Sequence, residues 1–414
     1  MPESFSREWT FSIPKLMFLI MSLNRAIQRD LDSFFNNLDR SEYTIRKVSK
    51  GAFTQARAKI DETGFIRFNE IAVDTFYGAV DYNKWHGHRV LAADGSTLRL
   101  PTHDSVKKKF GECKFGHKKD KILSMATSSI LYDVLNQICI DAQLTSFKNL
   151  NGKSGNEQRL LDSHLTHVRQ GDLLLLDRGY PSIALFFILH AMQVDFCIRM
   201  QTKWWKDVRY FKASGEAQRI VSFKLPEKDK NKLSSYPHSL DVEIECRLVR
   251  VELEDGTIEV LCTSLLDDRK YKVEEFKDLY HLRWGVEEAY KLLKNRIELE
   301  AFSGKTANAV KQDFHAKVFL MTLCAAYAHP IEQRVREEYK ADNEHKHSQK
   351  INRTNTISCT RSILIGMFLK KHYTKALDSF DNLIYNTREL VRPNRKIPRH
   401  AKERKAYCMN YKHL

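Results

Sequence analysis

The chain has 414 residues, enough for two or three domains whose cores need no disulfide or metal for stability. Its 68 lysines and arginines exceed its 52 aspartates and glutamates, giving a net charge of +16, and 42% of its residues are hydrophobic. This composition excludes a disordered tail protein, a collagen-like fibre and a disulfide scaffold. The positive charge favours a polyanionic partner, because lysines and arginines that neutralise phosphates release counterions.

Cysteine usage and hydropathy indicate the compartment. The eight cysteines are scattered without a CxxC pair, a pattern typical of thiols in a reducing environment. The longest apolar run near the amino terminus, residues 16–23, is too short to cross a bilayer. The sequence therefore predicts a cytoplasmic protein without a membrane partner, and its cysteine and histidine spacings disfavour a structural zinc site.

The first 80 residues are predicted to be helical. Residues 16–35 show helical periodicity and predict one helix. Residues 54–60 predict a short basic helix that carries Arg57 and Lys59. A helix-turn-helix would fit here, but the spacing is too general to define one.

From residue 88 the pattern changes to strands. Alternating and apolar runs predict an antiparallel meander of three strands at 89–100, 123–131 and 137–145. A helix, a strand buried on both faces, a second helix and a second buried strand follow at 156–168, 172–176, 183–192 and 195–200.

The remaining chain is more polar. Residues 201–262 consist of short alternating pieces and predict an all-β insertion, after which residues 273–299 predict one long helix rich in glutamate and lysine. The charged stretch 337–355 predicts a linker. Residues 388–412 predict an extended basic tail, which either contacts DNA or is simply solvated.

This order of elements predicts an α/β fold with an RNase H-like core, a mixed sheet flanked by helices. Such a core needs three antiparallel strands, then parallel strands with helical crossovers, and the chain supplies them in that order. The predicted regions are a helical amino-terminal region, the first part of the core, the insertion, the second part of the core and a helical carboxy-terminal region with the basic tail: 1–80, 81–200, 201–262, 263–330 and 331–414.

Two aspartates stand where predicted strands end. Asp94 precedes Gly95 in the first strand, and Asp177 follows the apolar strand 172–176. Ligands of open α/β sheets bind outside such strand ends, and two neighbouring carboxylates suit a divalent cation that takes oxygen ligands. Taken singly, each has an ordinary alternative: Asp94 as a turn residue and Asp177 as the cap of the next helix.

The long helix carries a charged face, because five residues recur at steps of three or four: Tyr280, Arg283, Glu287, Lys291 and Lys294. This face offers one carboxylate between cations, a suitable third metal ligand. The alternative is a solvated face of ion pairs worth a few tenths of a kcal/mol each, roughly, with no chemistry. Adjacent helix residues lie about 100° apart, so only one of Glu287 and Glu288 can face the sheet, and the shared face with Arg283 favours Glu287.

These residues resemble a known family, the IS4-type DDE transposases. Its signature Tyr-x2-Arg-x3-Glu-x6-Lys is matched without a gap by Tyr280, Arg283, Glu287 and Lys294. The sequences around Asp94 (Asp-Gly-Ser) and Asp177 (Leu-Asp-Arg-Gly-Tyr) are also similar to the family, and the resemblance runs from about residue 12 to about residue 330.

The resemblance implies a site. Asp94, Asp177 and Glu287 would form a metal-binding catalytic triad for two Mg²⁺ ions, with Mn²⁺ as a substitute. DNA would be contacted by four residues of the long helix: Tyr280, Arg283, Trp284 and Lys294. Trp284 would stack on a base flipped out of the DNA double helix, although packing in the protein core is an alternative role.

The resemblance also implies a function. The protein would bind the terminal inverted repeats of its own insertion element and transpose it by cut and paste. Its amino-terminal helices would recognise the element ends. A dimer would bring two such ends of double-stranded DNA together in a nucleoid-associated complex. One alternative is a stand-alone endonuclease on the same core. The other is a non-catalytic DNA-binding relic, and the intact triad argues against the relic.

Overall fold

A computed structural model describes residues 11–23, 26–39, 46–115, 121–147, 157–230, 243–341 and 347–391. The chain divides into two compact units. The helical unit comprises residues 1–79, 97–126 and 291–414, and the sheet unit comprises residues 80–96 and 127–290. The basic tail predicted from residue 388 lies outside the described residues from residue 392 onward.

The helices and strands follow one another along both units. The helices are α1 (Ile13–Ser22), α2 (Ile27–Asp39), α3 (Lys50–Arg57), α4 (Thr63–Ala79), α5 (Asp104–Phe110), α6 (Glu157–His164), α7 (Ile183–Ala191), α8 (Lys206–Ser214), α9 (Glu275–His281), α10 (Trp284–Asn295), α11 (Ala307–Ala341), α12 (Arg353–Leu364) and α13 (Tyr373–Asn386). The strands are β1 (Val90–Arg99), β2 (Cys113–Phe115), β3 (Lys121–Leu123), β4 (Met125–Asp133), β5 (Ile138–Ser146), β6 (Leu173–Leu176), β7 (Asp195–Arg199), β8 (Gln218–Lys224), β9 (Glu243–Glu252), β10 (Ile258–Thr263), β11 (Gln349–Lys350) and β12 (Glu389–Leu390).

Helix α11 is the centre of the helical unit, and α1, α4 and α12 pack against it. The aromatic rings of Phe68 and Phe319 lie 5.9 Å apart between α4 and α11. The predicted helix at 16–35 is two helices, α1 and α2, and the predicted linker at 337–355 is helical as far as Ala341. Among the described residues, no helix is both long and apolar enough to cross a membrane.

The basic helix expected at 54–60 is α3, but its Arg57 points inward. The Arg57 side chain is buried, and its guanidinium forms an ion pair of 2.9 Å with Asp313 of α11. The same guanidinium donates hydrogen bonds to Gln312 Oε1 at 2.9 Å and to Ser303 Oγ at 2.7 Å. Lys59, two residues later, is exposed. Arg57 therefore links α3 to α11, whereas Lys59 faces solvent.

The sheet unit is built on an eight-stranded mixed sheet of order β5-β4-β1-β6-β7-β10-β9-β8. Hydrogen bonds from Val134 N to Val90 O and from Leu100 N to Ser124 O show that β4 runs antiparallel to β1. Strands β6 and β7 then continue the sheet in parallel with β1. The sheet therefore has β5, β4 and β1 next to one another, followed by β6 and β7, which run parallel to β1. This arrangement confirms the predicted α/β fold with an RNase H-like core.

Two parts of the prediction are corrected. The insertion at 201–262 is not all-β, because Lys206–Ser214 forms a helix, and its strands extend the central sheet in antiparallel pairs. The long helix predicted at 273–299 is two helices, α9 and α10. They are separated at residues 282–283, where the backbone amides bond to carbonyls three residues back.

Candidate active site

Asp94 lies within β1, and Asp177 directly follows β6, the neighbouring parallel strand. Strands β1 and β6 pair in the register Val90↔Leu173 to Ala92↔Leu175. Asp94 and Asp177 each lie two residues beyond the last pair of this register, Ala92↔Leu175. The leucines of β6 are fully buried and Asp177 is half-buried, so its carboxylate emerges where the strand leaves the core.

Asp177 is paired with an arginine from the next strand. Arg199 of β7 approaches Asp177 Oδ1 to 2.7 Å and Glu259 Oε1 of β10 to 2.5 Å. Burial lowers the pKa of Arg199, but its hydrogen bond to Glu259 and the charge of Asp177 outweigh this effect and raise the pKa above its usual value. The guanidinium therefore stays charged between two carboxylates.

Glu287 on α10 is paired with Arg283, whose guanidinium nitrogen lies 2.7 Å from Glu287 Oε1. The Arg283 side chain is 4% exposed, and that of Glu287 is 31% exposed. Burial lowers the pKa of Arg283, but the hydrogen bond that Arg283 donates to Glu287, together with nearby negative charge, outweighs burial and raises it. Glu288 is exposed, so Glu287 is the inward-facing glutamate, as the helical spacing predicts.

Two tyrosines attach the glutamate-bearing segment to both aspartate-bearing strands. The Tyr280 hydroxyl donates to Leu176 O at 3.2 Å, directly before Asp177. The Tyr290 hydroxyl donates to Asp94 O at 3.3 Å. Both rings are buried, and burial raises the pKa of each phenol above its ordinary value. The two hydrogen bonds lie on either side of Glu287 in sequence; the bond from Tyr280 attaches α9 to β6, and the bond from Tyr290 attaches α10 to β1.

The remaining residues predicted to bind DNA differ in exposure. The Trp284 side chain is 47% exposed with the Arg283 guanidinium 5.0 Å from its ring centroid, so Trp284 is not a core residue. Lys294 lies two turns after Glu287 on α10 and donates to Thr97 O at 2.8 Å. Its burial lowers the pKa of the ammonium group. Tyr280 is 5% exposed, so its ring is not a surface that DNA could reach.

The donors of the predicted triad suit a hard divalent cation, because all three are carboxylates. Within the described ranges, no group of three or more His, Cys, Asp or Glu side chains is arranged to hold a metal ion. Asp177 and Glu287 are instead each neutralised by an arginine. The ligand chemistry therefore fits Mg²⁺ or Mn²⁺. Arg199 and Arg283 pair with two of these carboxylates, so a metal ion would compete with them.

Sequence reasoning missed three residues of this site: Arg199, Glu259 and Tyr290. Arg199 follows the buried run of β7 as Asp177 follows that of β6, a parallel that was available in the sequence. Tyr290 lies three residues after Glu287 and therefore near it on the helix. Glu259 reaches the site through the antiparallel pairing of β10 with β7, which no local pattern indicates.

Comparison with known proteins identifies the family. The family model described as "Transposase DDE domain" matches residues 85–324, more than half of the chain. The chain therefore belongs to the transposase DDE domain family. The matched range contains Asp94, Asp177 and Glu287, and it ends within α11.

A curated relative and a solved structure are also similar. The chain is 23% identical over 258 residues to "Transposase InsG for insertion sequence element IS4" of Escherichia coli strain K12, covering 61% of this chain and 54% of that protein. The chain thus spans about half the length of this curated relative. The cryo-EM structure of a piggyBac transposase synaptic complex with hairpin DNA aligns with a TM-score of 0.44 and 11% identity, covering 91% of this chain and 79% of that one.

Proposed function

We propose that this protein is the transposase of an insertion element, which cleaves phosphodiester bonds at the element's terminal inverted repeats and transfers the freed strand into target DNA by cut and paste. The observation that carries the proposal is the parallel pairing of β1, which contains Asp94, with β6, which Asp177 follows, together with the hydrogen bonds that Tyr280 and Tyr290, on either side of Glu287 in sequence, donate to Leu176 O and Asp94 O. Family membership supports the same reaction class.

The three carboxylates are the proposed metal ligands. Asp94, Asp177 and Glu287 would hold two Mg²⁺ ions, with Mn²⁺ as a substitute. When bound, such ions activate a water nucleophile and stabilise charge on the phosphate. Arg283 and Lys294 would supply cations near this phosphate, where negative charge grows during the reaction. The exposed indole of Trp284 offers a flat surface on which an unstacked base can lie.

The partner is proposed to be double-stranded DNA, both as element end and as target. The net charge of +16 supports a polyanionic partner. Two element ends brought together require two copies of the site, so we propose a dimer in the synaptic complex. We place this complex on the nucleoid in the cytoplasm of a bacterial-type cell.

The test is cleavage of a duplex that carries the element's own ends, in the presence of Mg²⁺ or Mn²⁺. Wild type is compared with Glu287→Gln, and Glu288→Gln serves as the matched control, because Glu288 is the exposed neighbour. We expect metal-dependent cutting at the element boundary that Glu287→Gln abolishes and Glu288→Gln retains. Cutting that ignores the end sequence would indicate an endonuclease instead, and DNA binding without cutting would indicate a relic.

A further inference from the structure

Three buried side chains form a hydrogen-bonded series that ends on the main-chain carbonyl of Asp94. Asp141 Oδ2 on β5 lies 2.7 Å from His164 Nδ1 at the end of α6. His164 Nε2 lies 2.9 Å from Ser129 Oγ on β4, and Ser129 Oγ donates to Asp94 O at 3.3 Å. The relative exposures of Asp141, His164 and Ser129 are 6%, 0% and 1%. We call these three residues the Asp141–His164–Ser129 relay.

The His164 ring lies between the other two side chains of the series. Ser129 has one hydroxyl hydrogen, and its bond to Asp94 O uses that hydrogen. The His164 ring contacts Asp141 Oδ2 through Nδ1 and Ser129 Oγ through Nε2. Gln143 Nε2 adds a second donor to Asp141 Oδ2 at 2.8 Å.

The electrostatics of Asp141 reflect its pairing with His164. Burial raises the pKa of Asp141, but the hydrogen bond and charge of His164 outweigh burial and lower it. A carboxylate buried this deeply is tolerated only when it is paired and hydrogen-bonded. Asp141 is therefore held as the anion that orients the His164 ring.

The relay resembles the serine, histidine and aspartate of a hydrolase in composition but not in accessibility. Its serine hydrogen ends on a main-chain carbonyl, and all three side chains are closed off from solvent. Attack on a substrate would require an exposed hydroxyl. The relay can therefore act only through the backbone that it holds.

That backbone belongs to a proposed metal ligand. Asp94 O accepts from Ser129 Oγ and also from Tyr290, whose hydroxyl lies 3.1 Å from Ser128 Oγ. Ser128 in turn lies within hydrogen-bonding distance of Ser96 O, at 3.1 Å. The main chain on both sides of Gly95 is thus fixed by side chains from β4 and α10.

We propose that the Asp141–His164–Ser129 relay is a positioning device for Asp94, which sets the main chain of β1 so that the Asp94 carboxylate is preorganised for a divalent cation. The inference rests on the proposed function. It adds residues outside the family signature, all on the side of β1 away from β6. Positioning of a ligand through its neighbours typically changes metal affinity or activity by about 10- to 100-fold, and an effect through the main chain should be smaller.

The test uses Ser129→Ala, with Ser124→Ala as the matched control. Ser124 is also a buried serine, 2% exposed, but its hydroxyl has no hydrogen-bond partner among the described residues. For each variant we would measure the unfolding midpoint, the affinity of the DNA-free protein for Mn²⁺, the affinity for element-end DNA and the single-turnover cleavage rate. A Ser129→Ala variant that fails to fold is replaced by Ser129→Cys, whose thiol is a weaker donor.

We expect Ser129→Ala to weaken Mn²⁺ binding by about 3- to 10-fold and to slow cleavage comparably, with DNA affinity unchanged. Ser124→Ala should leave Mn²⁺ affinity and rate as in wild type. If a folded Ser129 variant has the Mn²⁺ affinity and cleavage rate of wild type, the proposed role of the relay is overturned. The proposed function would stand, because the wild type would still cut DNA. A wild type that neither binds Mn²⁺ nor cuts DNA would overturn the proposed function and the relay with it.

Discussion

Asp177 and Arg199 form an ion pair of 2.7 Å across neighbouring parallel strands, at the level where both strands leave the buried core. Glu259 holds the same guanidinium from the other side. A carboxylate proposed to bind a metal ion is thus already neutralised by an arginine. A cation that enters this site must displace a guanidinium from Asp177 or share the carboxylate with it.

The first prediction concerns this competition. Arg199→Gln should tighten Mn²⁺ binding by the DNA-free protein about fivefold, because a partly buried ion pair is worth on the order of 1 kcal/mol. The measurement is calorimetric titration with Mn²⁺. Arg219→Gln is the control, since Arg219 pairs with Glu216 on an exposed surface. Weaker Mn²⁺ binding in Arg199→Gln would show that the arginine supports the metal site and does not compete with it.

The second prediction separates two roles of Tyr280. The resemblance implies a DNA contact, whereas the structure buries the ring and bonds its hydroxyl to Leu176 O. Tyr280→Phe should lower the free energy of unfolding by about 1 kcal/mol, because it leaves a carbonyl oxygen without its donor. It should slow cleavage without weakening DNA binding. Reduced DNA affinity at unchanged stability would favour the direct contact.

The third prediction concerns Trp284, whose ring is nearly half exposed beside Arg283. Trp284→Ala should change the free energy of unfolding by less than about 0.5 kcal/mol, as is usual for surface sites. It should weaken binding to cleaved or unpaired element ends at least about fivefold, because stacking on an aromatic ring contributes roughly 1–3 kcal/mol per base. Trp284→Phe should retain most of this affinity, as measured by fluorescence anisotropy. Equal losses in both variants would argue against stacking.

The fourth prediction compares two cations near the amino terminus. Arg57→Ala should lower the free energy of unfolding by about 3–5 kcal/mol, because it leaves Asp313 charged and buried without its partner. Lys59→Ala, two residues away and exposed, should lower it by less than about 0.5 kcal/mol. Denaturant unfolding measures both. Similar small effects in the two variants would mean that Arg57 does not link α3 to α11 in solution.

The sequence predicts the core well where local patterns decide. The apolar run of β6 predicted a doubly buried strand, and the order of elements predicted the sheet. The position of Asp177 directly after β6 followed from the same patterns, whereas Asp94 lies within β1 and not at its end. The choice of Glu287 over Glu288 followed from the helical face that it shares with Arg283 and from the family signature.

Features set by contacts distant in sequence were not predictable. The break at residues 282–283 was missed because the periodicity of the charged face continues across it. Helix α8 was missed because its polar sequence resembles the strands around it. The burial of Arg57 depends on Asp313, more than two hundred residues later, and the pairing of Arg199 with Asp177 depends on strand order.

The central claim is that Asp94, Asp177 and Glu287 together form a single metal-binding site. Its most direct test is localised backbone cleavage, with Fe²⁺ in place of Mg²⁺ and with peroxide and ascorbate to generate hydroxyl radicals at the bound ion. We predict protein fragments that end near residues 94, 177 and 287, suppressed by excess Mg²⁺ and lost in Glu287→Gln but not in Glu288→Gln. Fragments that end elsewhere, or a pattern unchanged by Glu287→Gln, would contradict the claim.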